Sequence, residues 1–168
     1  MIAIASIVEG DGEVAALPIL LRRLAVERDP IASVQPLPPI RVRRDRFLNK
    51  SDEFRKQLLL AAAKSGENGW ILVLLDADDD CPATLGRLIY ERAQQHIPHR
   101  RLSVVLANRE FEAWFIAAGA SLHGIRGFSN LPGDALNAEV PRNAKGWMRQ
   151  RMRSQTYSEI LDQPAFTR

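Results

Sequence analysis

Residues 70–81, WILVLLDADDDC, restrict the choice of fold more than any other stretch. Ile71 to Leu75 run apolar without a break, and four carboxylates follow within five positions: Asp76, Asp78, Asp79 and Asp80. An apolar run of this length fits a strand buried on both faces, as in a parallel sheet. Ligand sites of open α/β sheets lie just past the carboxyl ends of such strands. Asp76 and Asp78 are two apart, so an extended backbone would point both the same way. Carboxylates crowded on one side repel, and burying either alone is costly. A hard divalent cation, Mg²⁺ or Mn²⁺, would relieve the conflict by taking oxygen ligands from both. The plain alternative is a solvated turn, with Asp80 capping a helix that begins at Pro82.

Spacing excludes two familiar acidic motifs. An EF-hand loop from Asp76 would need Gly after Asp80 and Glu at its twelfth position, where the chain has Cys81 and Arg87. The DxDx[TV] motif of haloacid-dehalogenase-type phosphatases fails at its fifth residue, Asp80.

The rest of the chain supplies a βα alternation. Residues 2–8, IAIASIV, form a first strand that ends at Glu9. Gly10 and Gly12 permit a tight turn. An amphipathic helix from Val14 to Arg28 follows, with Glu13 on its first turn, where the helix dipole alone would favour an acid. The turn lacks the Gly-Lys-Ser/Thr of a Walker loop, and GxGxxG is only half met, with Ala15 at the third position. Residues 30–40 are proline-rich and read as a connecting loop. Ile40 to Phe47, IRVRRDRF, alternates as a second strand would. Its arginines, Arg41, Arg43, Arg44 and Arg46, suit either a phosphate track or a charge-protected sheet edge.

Ser51 is placed to cap a helix over Asp52 to Lys64, Trp70–Leu75 is the third strand, and a helix is expected from Pro82 to Gln95 with Leu85, Leu88, Ile89 and Ala93 inward. His96 and His99 have no ligand partner in sequence and read as surface. Leu102 to Ala107 is the fourth strand. It runs into a helix beginning at Asn108, with Phe111, Trp114, Phe115 and Ala118 as its buried stripe. On such a helix Glu112 would stand about 200° from Glu110, so the two would not share one ion.

Regularity falls after Gly119. The expected organisation is an α/β core over residues 1–120 and an irregular, partly helical extension over 121–168, packed on the same domain. A short basic helix is expected over Lys145 to Met152, and the end, TYSEILDQPAFTR, shows no clear cap or closing element. The predicted fold class is thus a small doubly wound, Rossmann-like, mainly parallel sheet of about four strands with helices on both faces.

With 168 residues, 46% hydrophobic and 26% charged, the chain is ordinary for a soluble domain. No apolar run approaches the roughly 20 residues of a membrane span. The N-terminus lacks the basic region of a signal peptide. One cysteine, Cys81, excludes an internal disulfide framework, so a cytoplasmic location is expected. Of 23 basic residues 19 are arginines, which suits phosphate recognition, although a GC-rich genome would give the same bias.

Three motifs in order, VEGxxE (Val8 to Glu13), LxDADDDCP (Leu74 to Pro82) and NREFEAWF (Asn108 to Phe115), resemble a Toprim-like bacterial family of unknown function. The Toprim fold is shared by topoisomerases, DnaG-type primases and the overcoming-lysogenization-defect (OLD) nucleases. The resemblance covers residues 1 to about 160 and implies the roles that follow. Glu9 and Glu13 match the first acidic motif, Asp76 and Asp78 the DxD, and Glu110 the third acid of the OLD-type site. These five are the implied metal ligands for Mg²⁺ or Mn²⁺. Lys145, the only lysine after Lys64, is the one candidate for the late lysine of those nucleases. It joins Glu9, Asp76 and Asp78 as an implied catalytic residue. Members of that family often run past the point at which this chain stops, which leaves room for a further C-terminal segment.

The implied activity is metal-dependent phosphodiester hydrolysis of nuclease or nicking type. The family is similar to split OLD systems, so an ATP-binding partner protein in a defence-type system is a further expectation. Arg41, Arg43, Arg44, Arg149, Arg151 and Arg153 would hold a nucleic-acid backbone. A topoisomerase would need a tyrosine nucleophile, and neither Tyr90 nor Tyr157 has the context for one. Two other readings stay open: a non-catalytic Mg²⁺-binding partner of an ATPase, and a metal-dependent phosphatase or nucleotidyl transferase.

Overall fold

A computed structural model describes residues 1–28 and 33–168. The first part of the proline-rich loop, residues 30–32, therefore lies outside the described residues. The chain forms an α/β fold around a parallel sheet. Its elements in order are β1 (Ile2–Val8), α1 (Asp11–Arg28), β2 (Val34–Pro36), β3 (Ile40–Arg41), α2 (Arg44–Asn49), α3 (Ser51–Ser65), β4 (Trp70–Asp76), α4 (Pro82–Gln94), β5 (Arg101–Ala107), α5 (Glu112–Ala117), α6 (Gly119–Leu122), two 3-10 turns, α7 (Ala144–Arg151) and α8 (Glu159–Phe166). The sheet order is β2-β1-β4-β5, with β3 also pairing with β1. Every pairing is parallel. The central strands β1 and β4 are the apolar runs that read as buried on both faces, and each is flanked on both sides.

Alternation along the strands divides the core into two layers. Ala5, Ile7, Ile71, Val73 and Leu75 face α2, α3 and α4, meeting Phe47, Phe54, Leu58 and Ile89. Val8, Leu72 and Leu74 face the other way, onto Leu17, Phe111, Phe115, Met148 and Phe166. Helices therefore lie on both faces, the Rossmann-like doubly wound arrangement expected. Fully burying one Phe or Leu is worth about 1.5–3 kcal/mol, so neither layer is dispensable.

The sheet has five strands rather than four, and two segments differ from expectation. The alternation over 40–47 does not make one strand: only Ile40 and Arg41 pair with β1, and Arg44–Asn49 is helical. Val42 and Phe47, five apart, are both buried in the same layer, which the helical turn between them allows. The additional strand is β2, which pairs beside β1 within the segment read as a loop. Its one proline, Pro36, is tolerated because β2 is an edge.

Smaller departures concern helix ends. Cys81, not Asp80, is the residue before α4, and Leu88 on that helix is exposed rather than inward. Lys50 precedes α3, so Ser51 is its first residue and not its cap. His99 is exposed, but His96 is half-buried with its ring 6.0 Å from that of Phe54. The helix after β5 begins at Glu112 instead of Asn108, because Arg109 adopts a left-handed φ of 66° that breaks the chain direction first. Ala118 is exposed and outside its stripe.

The C-terminus does have a closing element. Helix α8 packs along α1, its Phe166 ring against Phe115 and Phe128. It exposes Ile160 and Leu161 and buries Asp162 and Gln163 beside Pro164 and Phe166. No helix among the described residues is long and apolar enough to cross a membrane.

Candidate functional site

The parallel sheet brings the ends of β1, β4 and β5 to one edge. Asp76 is level with Ala107 in the β4–β5 register, and Ile7 with Val73 in the β1–β4 register. Glu9, Asp76 and the 108–112 turn therefore meet at the carboxyl end of the sheet. Backbone bonds tie the two acidic loops together: Ala77 N–H donates to Ala107 O (2.9 Å) and Asp78 N–H to Arg109 O (2.9 Å).

The acids do not form one cluster. Strand β4 ends at Asp76, and Asp78 has a left-handed φ of 51°. The extended backbone that would have aligned the two side chains is absent. Asp76 is buried and Asp78 is exposed. The strand alternation places Asp76 on the same face as Leu72 and Leu74, the face that carries α1, α7 and α8.

This inner group contains Glu13, Asp76, Glu112 and Lys145. Asp76 Oδ1 accepts from Phe111 N–H at 2.8 Å. Burial, with the nearby charges of Glu13, Glu112 and Glu9, pushes the Asp76 carboxyl up to about 8, against the opposing pull of Lys145. Burial also raises Glu13 and Glu112, each opposed by Lys145. Glu112 is wholly buried; its Oε1 accepts from Tyr157 Oη (3.0 Å) and Gln163 Nε2 (2.8 Å). Neither Glu13 Oε2 nor Glu112 Oε2 has a hydrogen-bond partner. Burial alone would lower the Lys145 ammonium, but Glu112, Glu159, Asp76 and Glu110 more than reverse this and raise it. Lys145 Nζ lies 3.4 Å from Glu159 Oε1.

Glu110 joins this group only through Lys145. Its Oε2 accepts from the backbone N–H of Lys145 at 2.9 Å, in the first turn of α7, where the helix leaves amide protons unpaired.

The outer group contains Glu9 and Asp78. They line an open hollow of roughly 450 Å³ with Arg41, Arg43, Arg44 and Arg46. Burial and the neighbouring Asp78 raise the Glu9 carboxyl, while Arg44 lowers it. Glu9 Oε2 is buried without a partner. Arg44 is almost fully enclosed and turned inward. Its Nε donates to Asp76 O (3.1 Å), and its Nη2 pairs with Asp80 Oδ2 (2.6 Å). Arg44 Nη1 is 3.6 Å from Asp78 Oδ2. Asp79 is held by Arg109 (2.9 Å) and Arg142.

Of the other sequence-predicted arginines, Arg41 and Arg43 stay at the outer hollow, while Arg149, Arg151 and Arg153 disperse. Arg41 pairs with Asp11 at 3.1 Å on the surface. Arg149 lines a second hollow with Lys145, Tyr157 and Glu159. Arg151 is fixed by two bonds to Asp134, 2.9 and 3.1 Å, and lies over the Trp147 ring. Arg153 is exposed and lines neither hollow.

Sequence reasoning missed Glu112, Tyr157, Gln163 and Glu159 as members of the inner group. A helical wheel from Glu110 excluded Glu112, but Glu110 precedes α5, so the wheel does not apply. Among the described residues, no three His, Cys, Asp or Glu side chains converge closely enough to hold a metal ion. The orphaned oxygens of Glu9 and Glu13 nevertheless suit a hard cation, which satisfies carboxylates that protein donors leave unpaired. The family model described as a domain of unknown function, DUF4276, matches residues 8–162. No curated protein and no solved structure matches the chain.

Proposed function

The chain belongs to the DUF4276 family, whose function is unassigned, and from that premise we propose that it is a Toprim-like, metal-dependent phosphodiester hydrolase of nuclease or nicking type. The observation that carries this reading is the outer hollow, in which Glu9 and Asp78 share one surface with Arg41, Arg43 and Arg46. Acids at a strand end beside several arginines suit a phosphate-bearing substrate whose reacting centre also needs a cation.

Glu9, Glu13, Asp76 and Asp78, with Glu110, would hold Mg²⁺ or Mn²⁺. The ion would supply positive charge for the attacking and leaving oxygens of an in-line displacement. Closing the ligand set would require more than one side chain to move, the exposed Asp78 toward Asp76 and Glu110 off the Lys145 amide. The remaining chemistry belongs to the protein. Arg41, Arg43 and Arg46 bind and orient the phosphate backbone. Arg44 fixes the loop that presents Asp78, through Asp76 O and Asp80. Lys145 neutralises the inner carboxylates, and its ammonium stays protonated across the working range. Water serves as the nucleophile, and Tyr157 stays protonated because burial and Glu112 push its phenol far up.

A second reading is favoured by one observation. The acids are already countered by Lys145 and Arg44 and do not converge on a shared ion. The chain would then be a non-catalytic partner of an ATP-binding protein. A nicking assay on supercoiled plasmid with Mg²⁺ or Mn²⁺ separates the two. Cutting by wild type that is lost in both Asp76→Ala and Asp78→Ala supports hydrolysis. Absence of cutting by pure wild type moves the weight to the partner reading.

A further inference from the structure

The two edges of the sheet are built differently. At one edge, β2 and β3 are three and two residues long, interrupted by Pro36, Pro38 and Pro39, and β3 ends on Arg41. Short strands, prolines and an edge arginine all block pairing with another chain. At the other edge, β5 has seven residues, LSVVLA following Arg101, with no proline and no charge after that arginine. It is one of the longest strands, and beyond Arg101 at its start it carries none of those devices.

The free side of β5 is open. Its neighbours are β4 in the sheet and α4 on one face. None of the residues from Arg101 to Leu106 is fully buried, although Leu102, Val104 and Leu106 pack against the main core. On the opposite face Val105 is 37% exposed and Trp70, on β4, is 41% exposed. They form the rim of an apolar hollow of roughly 260 Å³ floored by Leu72 and Leu74 and walled by α1.

The strand is also self-complementary. In an antiparallel pair about a two-fold axis, directly opposed residues lie on the same face. An axis at Val104 sets Val104 against Val104 and Leu102 against Leu106, extending the main core apolar to apolar. On the other face Ser103 meets Val105 beside the apolar hollow. Arg101 falls opposite Ala107, so no like charges oppose one another. Moving the axis by one residue sets Arg101 against Val105 or against Arg109.

We propose that the free edge of β5 is an assembly surface on which β5 of a second copy of this chain pairs antiparallel about a two-fold axis at Val104, joining two sheets into one. The inference rests on the edge alone and is independent of the site's chemistry.

The test combines molar mass with cross-linking. Light scattering on the intact chain is expected to give twice the monomer mass, and Val105→Lys is expected to give the monomer mass with an unchanged far-UV spectrum. In a Cys81→Ser background, which removes the only native thiol, Val104→Cys is expected to form a disulfide-linked dimer under mild oxidation. Opposed Cα atoms in an antiparallel pair stand about 4.5–5.5 Å apart, inside disulfide range. Cross-linking does not depend on the lysine variant folding. A wild-type monomer at all concentrations with no cross-link overturns the proposal. So does a dimer that Val105→Lys leaves intact and Val104→Cys fails to link, because it uses another face. Polydisperse aggregation in place of a discrete dimer overturns it as well.

Discussion

The backbone N–H of Phe111 donates to Oδ1 of Asp76 across 2.8 Å, joining the acid at the end of β4 to the turn that starts α5. The bond lies in the buried layer where Asp76 meets Glu13 and Glu112. Burial there holds the Asp76 proton until about pH 8, against 3.8 for a free aspartate. A carboxyl raised in the fold binds its proton more tightly than in the unfolded chain. Its stabilisation is therefore complete below pH 3.8 and is lost as pH rises through about 8. The raised Glu9, Glu13 and Glu112 act in the same direction. Without divalent cations, urea unfolding is expected to show stability falling from pH 5 to pH 8, by at most about 1.4 kcal/mol per pH unit for each proton. Asp76→Asn is expected to flatten that slope.

Arg44 and Arg41 predict opposite behaviour from neighbouring positions. Arg44→Ala releases Asp80 and the carbonyl of Asp76, and is expected to cost about 1–2 kcal/mol and to lower any nicking activity. Arg41→Ala removes only a surface pair with Asp11 and is expected to change stability by less than about 0.5 kcal/mol. If the outer hollow takes a nucleic-acid backbone, Arg41→Ala weakens binding and lowers the salt dependence of log K by about one. Chemical denaturation and binding titrations at several salt concentrations separate the two roles.

Tyr157→Phe removes one of the two donors to Glu112 Oε1 inside a buried network. The expected loss is about 1–3 kcal/mol, read as a lower urea midpoint. Because Tyr157 is assigned no role as a nucleophile, metal-dependent cutting by the folded variant is expected to survive. Loss of cutting without loss of stability would assign Tyr157 to the chemistry.

Gly12 sits beneath Gln163, whose side-chain amide occupies the space a Cβ would need. Gly12→Ala therefore has to displace the residue that donates to Glu112. A cost of about 1–3 kcal/mol is expected, by thermal or urea unfolding. The double variant Gly12→Ala, Gln163→Ala is expected to lose less than the sum of the single changes, since the clash disappears with the amide.

The parallel sheet was legible because Ile2–Val8 and Trp70–Asp76 are apolar on both faces, a pattern that only flanked strands satisfy. Ile40 to Phe47 misled because charged residues fill the exposed side of a short helix and of an edge strand equally well. Three apolar positions, Ile40, Val42 and Phe47, do not distinguish periods of two and 3.6. The helix α8 was hidden because it buries Asp162 and Gln163 while exposing Ile160 and Leu161. Arg126 and the Ser158 amide hold Asp162, and Glu112 accepts from the Gln163 amide nitrogen, while Gln163 Oε1 is left without a partner. At the site, the resemblance named acids that do reach one edge of the sheet. What sequence could not convey was their division between two groups, in which the left-handed Asp78 turns its side chain away from that of Asp76.

The central claim is that these acids take up a divalent cation together. Titration of the intact chain with Mn²⁺, followed by the loss of free-ion paramagnetic resonance signal, tests it directly. Saturable uptake by wild type, weakened at least tenfold in Asp76→Ala and in Glu13→Gln variants that remain folded, is the expected result. Wild-type protein that leaves the Mn²⁺ signal unchanged, or uptake indifferent to both substitutions, would contradict the account.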